Sequence, residues 1–457
     1  MEHERKISPA FEQYLSECGP NDKRDAIVIY RAPMSEDERH LGRLRALGKR
    51  LDYVRARAAA QGPIQAKLME DYKRAGSKHL SNKSGRRELE IAPIGANTLP
   101  VASAQITRKT LPALASQQNV VAILPNQRIH LIKPKEVDYS ELSRQENKDG
   151  LTWGLKHLEI PALWKKIKGK GKGIKVAVLD TGVHSVHPAL GDRVKDFIVV
   201  DPLGRRIKAT PAFDCGSHGT HVCGTIAGGK TPDGVSIGIA PEATLLVAGV
   251  LVGDATLQSL IEGITWAIEK GADIINMSLG FTYYEPLFAE VFAMLIEQYG
   301  ILPAVAIGNE SHGNSRSPGN AYNAFSVGAV EKMPRGKIDV PFFSSGASLI
   351  FPEAEQGARV DKPDVVAPGV QVFSCIPPER TADGTYEYTY MDGTSMATPH
   401  VAGVAALLMA AKPQAQVPEI INALKDTAKH PSGTGGRPDN RWGYGVIQPL
   451  EALKALG

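Results

Sequence analysis

The sequence predicts a large α/β domain on a doubly wound, mostly parallel sheet, preceded by a small α+β domain of ferredoxin-like pattern. Three observations predict it. Between residues 175 and 307 short apolar runs alternate with helical stretches, as strands of a parallel sheet do when crossover helices cover both faces. From Met396 to Ala411 the chain is small and apolar nearly throughout, the pattern of a helix buried on almost every side. Between residues 25 and 132 strand and helix patterns alternate in the compact order of an α+β unit.

Taken in order, residues 1–25 are polar and offer little to fold on. Asp25 to Tyr30 reads as a strand. Ser35 caps a helix running to about Gln61, with Leu44, Leu47, Leu51 and Val54 at alternating three- and four-residue steps. Arg39, Arg43, Arg45, Lys49, Arg50, Arg55 and Arg57 crowd its remaining surface and read as a solvated basic face. A second helix is expected from Ile64 to about Arg74, then a polar loop at 77–87. Strands follow at Glu88–Ala92 and Ala102–Thr107, a short helix at Thr110–Ser116, and Val120–Leu124 with Gln127–Ile132 as a final hairpin-like strand. Residues 1–135 are therefore set as one domain, 136–150 as a polar linker or processing region, and 151–457 as the second domain. In that domain the expected elements are strand 175–180, helix 218–228, strand 244–250, helix 256–270, strand 273–278, helix 286–299 and strand 302–307.

Composition bounds the partners. The chain has 457 residues, a formal charge of +4, 42% apolar residues and four cysteines. That charge is too weak to argue for nucleic acid or a membrane surface, and four cysteines in such a length are not a disulfide framework. No apolar run reaches the ~18 residues of a membrane span. The N-terminus has no apolar leader core, so the expected compartment is the cytoplasm, or the exterior if a leader has been trimmed.

The chemistry lies in three stretches. Lys175–Asp180 (KVAVLD) is an apolar run ending in a carboxylate, the strand-end position at which open α/β sheets carry functional groups. Ser217–Gly228 (SHGTHVCGTIAG) places His218 at the start of a tightly packed helix. Asp392-Gly393-Thr394 is a tight turn that sets Ser395 at a helix N-terminus, where unpaired N–H groups favour developing negative charge. Each residue alone has a plain structural explanation: a turn-former, a core histidine, a cap. Together they supply a hydroxyl nucleophile, a base and a carboxylate to orient the base. The order Asp, His, Ser, at spacings of 38 and 177 residues, is one of the known triad orders.

On these motifs the chain resembles the subtilases, subtilisin-like serine endopeptidases, over about 151–457. The resemblance implies that Ser395 is the nucleophile, His218 the general base and acid, and Asp180 the group fixing the imidazole tautomer. Ala304–Glu310 (AVAIGNE) resembles the oxyanion-hole segment, which implies that Asn309 donates its amide to the oxyanion beside the Ser395 N–H. Asn276–Gly280 (NMSLG) resembles the strand that pairs with extended substrate, so Ser278, Leu279 and Gly280, with Gly253, are assigned to substrate binding. The N-terminal domain is similar to the family's inhibitory propeptide, which implies that the segment through Lys135 lies in the cleft like a substrate. Arg316 is expected to neutralise Glu310.

Cys215, His218, His221 and Cys223 have a metal-like spacing, but His218 belongs to the triad and His221 to the same family motif, so no metal is assigned. No cofactor is required. Calcium commonly stabilises family members, yet Ala189 stands where a ligating Asp is usual and Thr231–Val235 lacks the usual asparagine. A strong calcium site is expected to be absent, with weaker binding elsewhere left open. The partners expected are protein or peptide substrates and the chain's own N-terminal domain. An active, self-processed zymogen is the leading function; a stably self-inhibited pseudo-protease that binds proteins is the alternative.

Overall fold

The computed structural model of the chain describes residues 6–8, 16–32, 41–42, 44, 49–78, 89–131, 140–281, 285, 288–351, 359–381 and 384–457. Two compact units emerge. One comprises Met1–Arg128, Pro202–Arg205 and Asp254–Gly271; the other comprises Ile129–Asp201, Arg206–Gly253 and Ala272–Gly457.

The first unit holds β1 (Arg24–Tyr30), β2 (Ile91–Pro93), β3 (Val101–Ile106) and β4 (Val120–Pro125). They form an antiparallel sheet in the order β2-β3-β1-β4. Helix Arg50–Ser77 joins β1 to β2, and the short helix Leu111–Ala115 joins β3 to β4. This is the ferredoxin-like arrangement the sequence suggests. The two helices expected on either side of residue 62 are one. Gln61, Gln65, Leu68, Met69, Tyr72 and Gly76 continue a single buried stripe past Pro63, which stands on the exposed side. Tertiary packing of that stripe, including the Tyr30 hydroxyl donating to Gln65 at 3.1 Å, overrides the local cost of proline. The proposed start of this helix at Ser35 lies outside the described residues.

The second unit carries β5 (His130–Leu131) and then β6 (Lys175–Asp180), β7 (Val194–Val200), β8 (Arg206–Ile207), β9 (Thr244–Gly249), β10 (Ile274–Met277), β11 (Leu279–Gly280), β12 (Leu302–Ala306), β13 (Phe325–Lys332) and β14 (Ile338–Asp339). Beyond these come β15 (Ala347–Ile350), β16 (Arg359–Lys362), β17 (Val365–Pro368), β18 (Val372–Thr381) and β19 (Gly384–Met391). The main sheet runs β14-β13-β12-β10-β6-β9-β7-β8, with β17 beside β13. Its inner neighbours β7, β9, β6, β10, β12 and β13 are all parallel. The strands are buried on both faces, so they appear in the sequence as continuous apolar runs.

Four further expectations change. Of the strand expected over 127–132, the described part His130–Leu131 is β5, which pairs antiparallel with β11 and not with β4, whose partner is β1. Residues 140–149, expected as linker, form helix Ser140–Asp149. Helix Thr394–Ala411 does have the length and mean hydropathy (1.3) of a membrane span, but 83% of it is buried in the protein. It is the core helix of the second unit. The helix expected over 286–299 is Ala289–Ala293 followed by a π turn at Met294–Gln298.

Candidate active site

Two glycines bring His218 to Asp180. Gly182, just past β6, has φ of +122°, a conformation that side chains rarely adopt. Gly219, the second residue of helix His218–Ala227, lies so near Gly182 that a Cβ there would strike the Gly182 carbonyl. The helix start therefore meets the strand end backbone to backbone. His218 Nδ1 sits 2.8 Å from Asp180 Oδ1 and 3.0 Å from Oδ2. Both residues are buried. The Thr181 N–H donates to Asp180 Oδ1 at 2.7 Å, so the carboxylate cannot turn away from the ring.

Two residues that sequence reasoning missed lock this corner. Thr181 Oγ1 donates to Asp214 at 2.6 Å and accepts from the Gly219 N–H at 3.0 Å. Asp214 also accepts from the Thr220 N–H and hydroxyl at 2.8 and 2.7 Å. It caps the helix from outside, while the nominal cap Ser217 makes no capping bond. An acidic residue four positions before a helix start is the signal that would have found it.

Ser395 is buried at the first turn of helix Thr394–Ala411. Its hydroxyl donates to the Ser278 carbonyl at 3.4 Å, and its own carbonyl accepts from the Ser278 hydroxyl at 3.2 Å. His218 Nε2 is buried and makes no hydrogen bond among the described residues. Contacts between a catalytic base and its nucleophile are commonly loose before substrate binds. Asn309 Oδ1 accepts from the Thr394 N–H and hydroxyl, both at 3.0 Å. A backbone N–H is a donor only, so this bond fixes which end of the amide is oxygen and leaves Nδ2 as the opposite, donating end.

Of the residues expected to bind substrate, Leu279 and Gly280 form β11, paired with Leu131 and His130. Gly253 stands apart from that strand, in a loop after β9, with φ of +64°. Arg316 donates to Glu310 at 2.5 Å, as expected, and also reaches the Gly280 carbonyl at 3.4 Å. The pair is a fixed wall beside β11.

Two residues of the metal-like spacing, His221 and Cys223, are buried. His221 Nε2 donates to the Val372 and Thr389 carbonyls, and burial pushes its pKa down to about 3. Cys223 is buried and its thiol is held well above the usual range by that burial. Among the described residues no cluster of three or more His, Cys, Asp or Glu is placed to hold a metal. The residues around Ala189 fit calcium poorly. Its carbonyl accepts from the Gly229 N–H at 2.8 Å and from Arg193 at 3.4 Å. The same guanidinium donates to the Leu190 carbonyl at 2.9 Å and the Pro241 carbonyl at 2.5 Å. A cationic side chain already occupies the loop oxygens, and Asp233 is exposed.

Residues 171–445 match the family described as the subtilase family. The chain belongs to the subtilases. This subtilase is 33% identical to the M-protease of Shouchella clausii over 337 residues, 71% of this chain and 78% of that protein. It is 35% identical to the major intracellular serine protease of Bacillus subtilis over 262 residues, 56% of this chain and 74% of that protein. Among solved structures it is similar to fervidolysin from Fervidobacterium pennivorans, a keratinolytic enzyme related to subtilisin. The TM-score is 0.66 at 25% identity, over 95% of this chain and 61% of that one, so the chain spans less than two thirds of fervidolysin. The subtilase is a subtilisin-like serine endopeptidase, and its substrates are proteins or peptides.

Proposed function

We propose that this endopeptidase is made as a self-inhibited zymogen and cuts itself free. The observation that carries the proposal is the pairing of His130–Leu131 with Leu279–Gly280, an extended segment lying antiparallel on the strand assigned to substrate. The burial of Asp180, His218 and Ser395 accords with a closed site. In the reaction Ser395 Oγ attacks the scissile carbonyl as His218 Nε2 takes its proton. Asp180 holds the Nδ1 proton, and the Asn309 Nδ2 amide with the Ser395 N–H meets the oxyanion. His218 then returns the proton to the leaving amine, and water reverses the sequence to release the acyl group. Purified wild type and Ser395→Ala, followed by intact mass with a fluorophosphonate added at intervals, test the zymogen. Wild type should split downstream of Leu131 and then take up probe, while the variant stays whole. A wild type that labels fully without splitting would overturn it; one that neither splits nor labels would favour the binding-protein alternative.

We also propose that the chain needs no calcium at Ala189, because Arg193 supplies the positive charge there. The thermal midpoint of wild type should be the same in chelator and in millimolar calcium. Arg193→Ala should lose about 2–3 kcal/mol, the scale of one or two hydrogen bonds from a charged donor. A chelator-sensitive wild type would refute the assignment. For compartment we propose the cytoplasm, supported by likeness to a protease named intracellular and by Cys215, Cys223 and Cys375, which form no disulfide among the described residues.

A further inference from the structure

Helix Ser140–Asp149 is polar, yet it is anchored in the second unit at several points. Glu146 is 2% exposed, with one carboxylate oxygen accepting from the Trp153 N–H and the other from the Tyr390 hydroxyl, both at 2.7 Å. Asp149 pairs with Lys156 at 2.7 Å. The chain leaving the helix joins the body of the unit, where the Gly150 carbonyl accepts from the Ser236 N–H at 3.0 Å.

What Glu146 holds leads to the nucleophile. The Trp153 indole N–H donates to the Val370 and Gln371 carbonyls at 2.9 and 3.0 Å. Gln371 has φ of +55°, and its N–H donates to Asp392 at 2.6 Å. Two residues earlier, the Gly369 carbonyl accepts from the Gly393 N–H at 2.7 Å. Residues 369–371 thus grip both ends of the Asp392-Gly393 turn that presents Ser395. Gly154, next to Trp153, lies against His400 on the serine helix so closely that a Cβ there would collide with the imidazole.

We propose that helix Ser140–Asp149 is a resident part of the catalytic unit rather than a discarded linker, with Glu146 a positioning residue for the Ser395 turn. The proposal rests on the zymogen reading for one consequence: self-cleavage falls between Leu131 and Ser140, and the mature enzyme keeps Glu146. Glu146 never touches substrate; it acts through Trp153 and the loop 369–371. Burial pushes its carboxyl up to about 7, so a neutral amide resembles a form it already visits near neutral pH.

The test has two arms. In the first, full-length Ser395→Ala, which cannot cut itself, is digested with a trace of added broad-specificity protease. The large fragment should begin before residue 140, and in Ser395→Ala/Glu146→Leu trimming should run on to about residue 150. Equal trimming in both chains, through the helix, would overturn the proposal, whether or not wild type processes itself. In the second arm wild type, Glu146→Gln and Glu146→Leu are compared per fluorophosphonate-reactive site. The leucine variant should lose roughly tenfold in kcat at unchanged KM, as a small misplacement of the nucleophile would cause. Glutamine should restore most of it, since its oxygen can accept from Trp153 and its amide can donate to the Tyr390 oxygen. Wild-type kcat in the leucine variant, or equal loss in both, would reduce Glu146 to a structural anchor. A wild type whose mass never changes would instead count against the zymogen reading alone.

Discussion

Ser395→Ala is expected to abolish peptide hydrolysis, lowering kcat by roughly 10⁶-fold, the scale on which loss of the nucleophile acts in subtilisin. That factor corresponds to about 8 kcal/mol of barrier. The fold should hardly register it. The hydroxyl donates to the Ser278 carbonyl at 3.4 Å, a long bond whose loss costs on the order of 1 kcal/mol. The large difference between those two energies makes the experiment decisive. A variant with wild-type melting behaviour and no turnover has lost chemistry, not structure. Because the unprocessed variant could be silent merely by remaining inhibited, it should first be cut in trans by a trace of wild type, which is then inactivated. Residual activity within a hundredfold of wild type after that treatment would remove Ser395 from the nucleophile's role.

How much of this was legible in the sequence follows from which forces are local. Asp180, His218 and Ser395 could be found because each lies in a stretch whose small residues serve close packing: Gly219 meets Gly182, and the serine helix is buried almost throughout. The parallel strands were legible for a related reason, since burial on both faces leaves apolar runs. The helix through Pro63 was not, because proline's local penalty is visible while the long-range stripe outweighing it is not. Helix Ser140–Asp149 was read as linker because it is polar, and the bonds of Glu146 go to Trp153 and to Tyr390, the latter 244 residues away. Thr181 and Asp214 were passed over for want of a motif of their own. The pairing of β5 with β11 depends on which strand edge is available, and sequence alone does not say.

Asp180→Asn should cost roughly 10⁴-fold in kcat with KM nearly unchanged, by a route the geometry makes specific. The Thr181 N–H, 2.7 Å from Asp180 Oδ1, can only donate, so the asparagine carbonyl must keep that position. The amide nitrogen then falls where Oδ2 lies, 3.0 Å from His218 Nδ1. The retained carbonyl still lies 2.8 Å from Nδ1, but an N–H now replaces the second carboxylate oxygen, which shifts the imidazole proton towards Nε2, the nitrogen that must accept the Ser395 proton. The base is present and well placed but weighted to the wrong tautomer, and no carboxylate charge remains to stabilise its protonated form. Substrate binding does not pass through this pair, so the loss should appear in kcat alone. Steady-state kinetics on the variant processed in trans would check it. An asparagine variant within tenfold of wild type would mean that the ring keeps its working tautomer without a carboxylate, and Asp180 would then be a packing residue. A loss carried mainly by KM would point elsewhere, to a shift of β6 reaching β11, the strand proposed to hold substrate, through its neighbour β10.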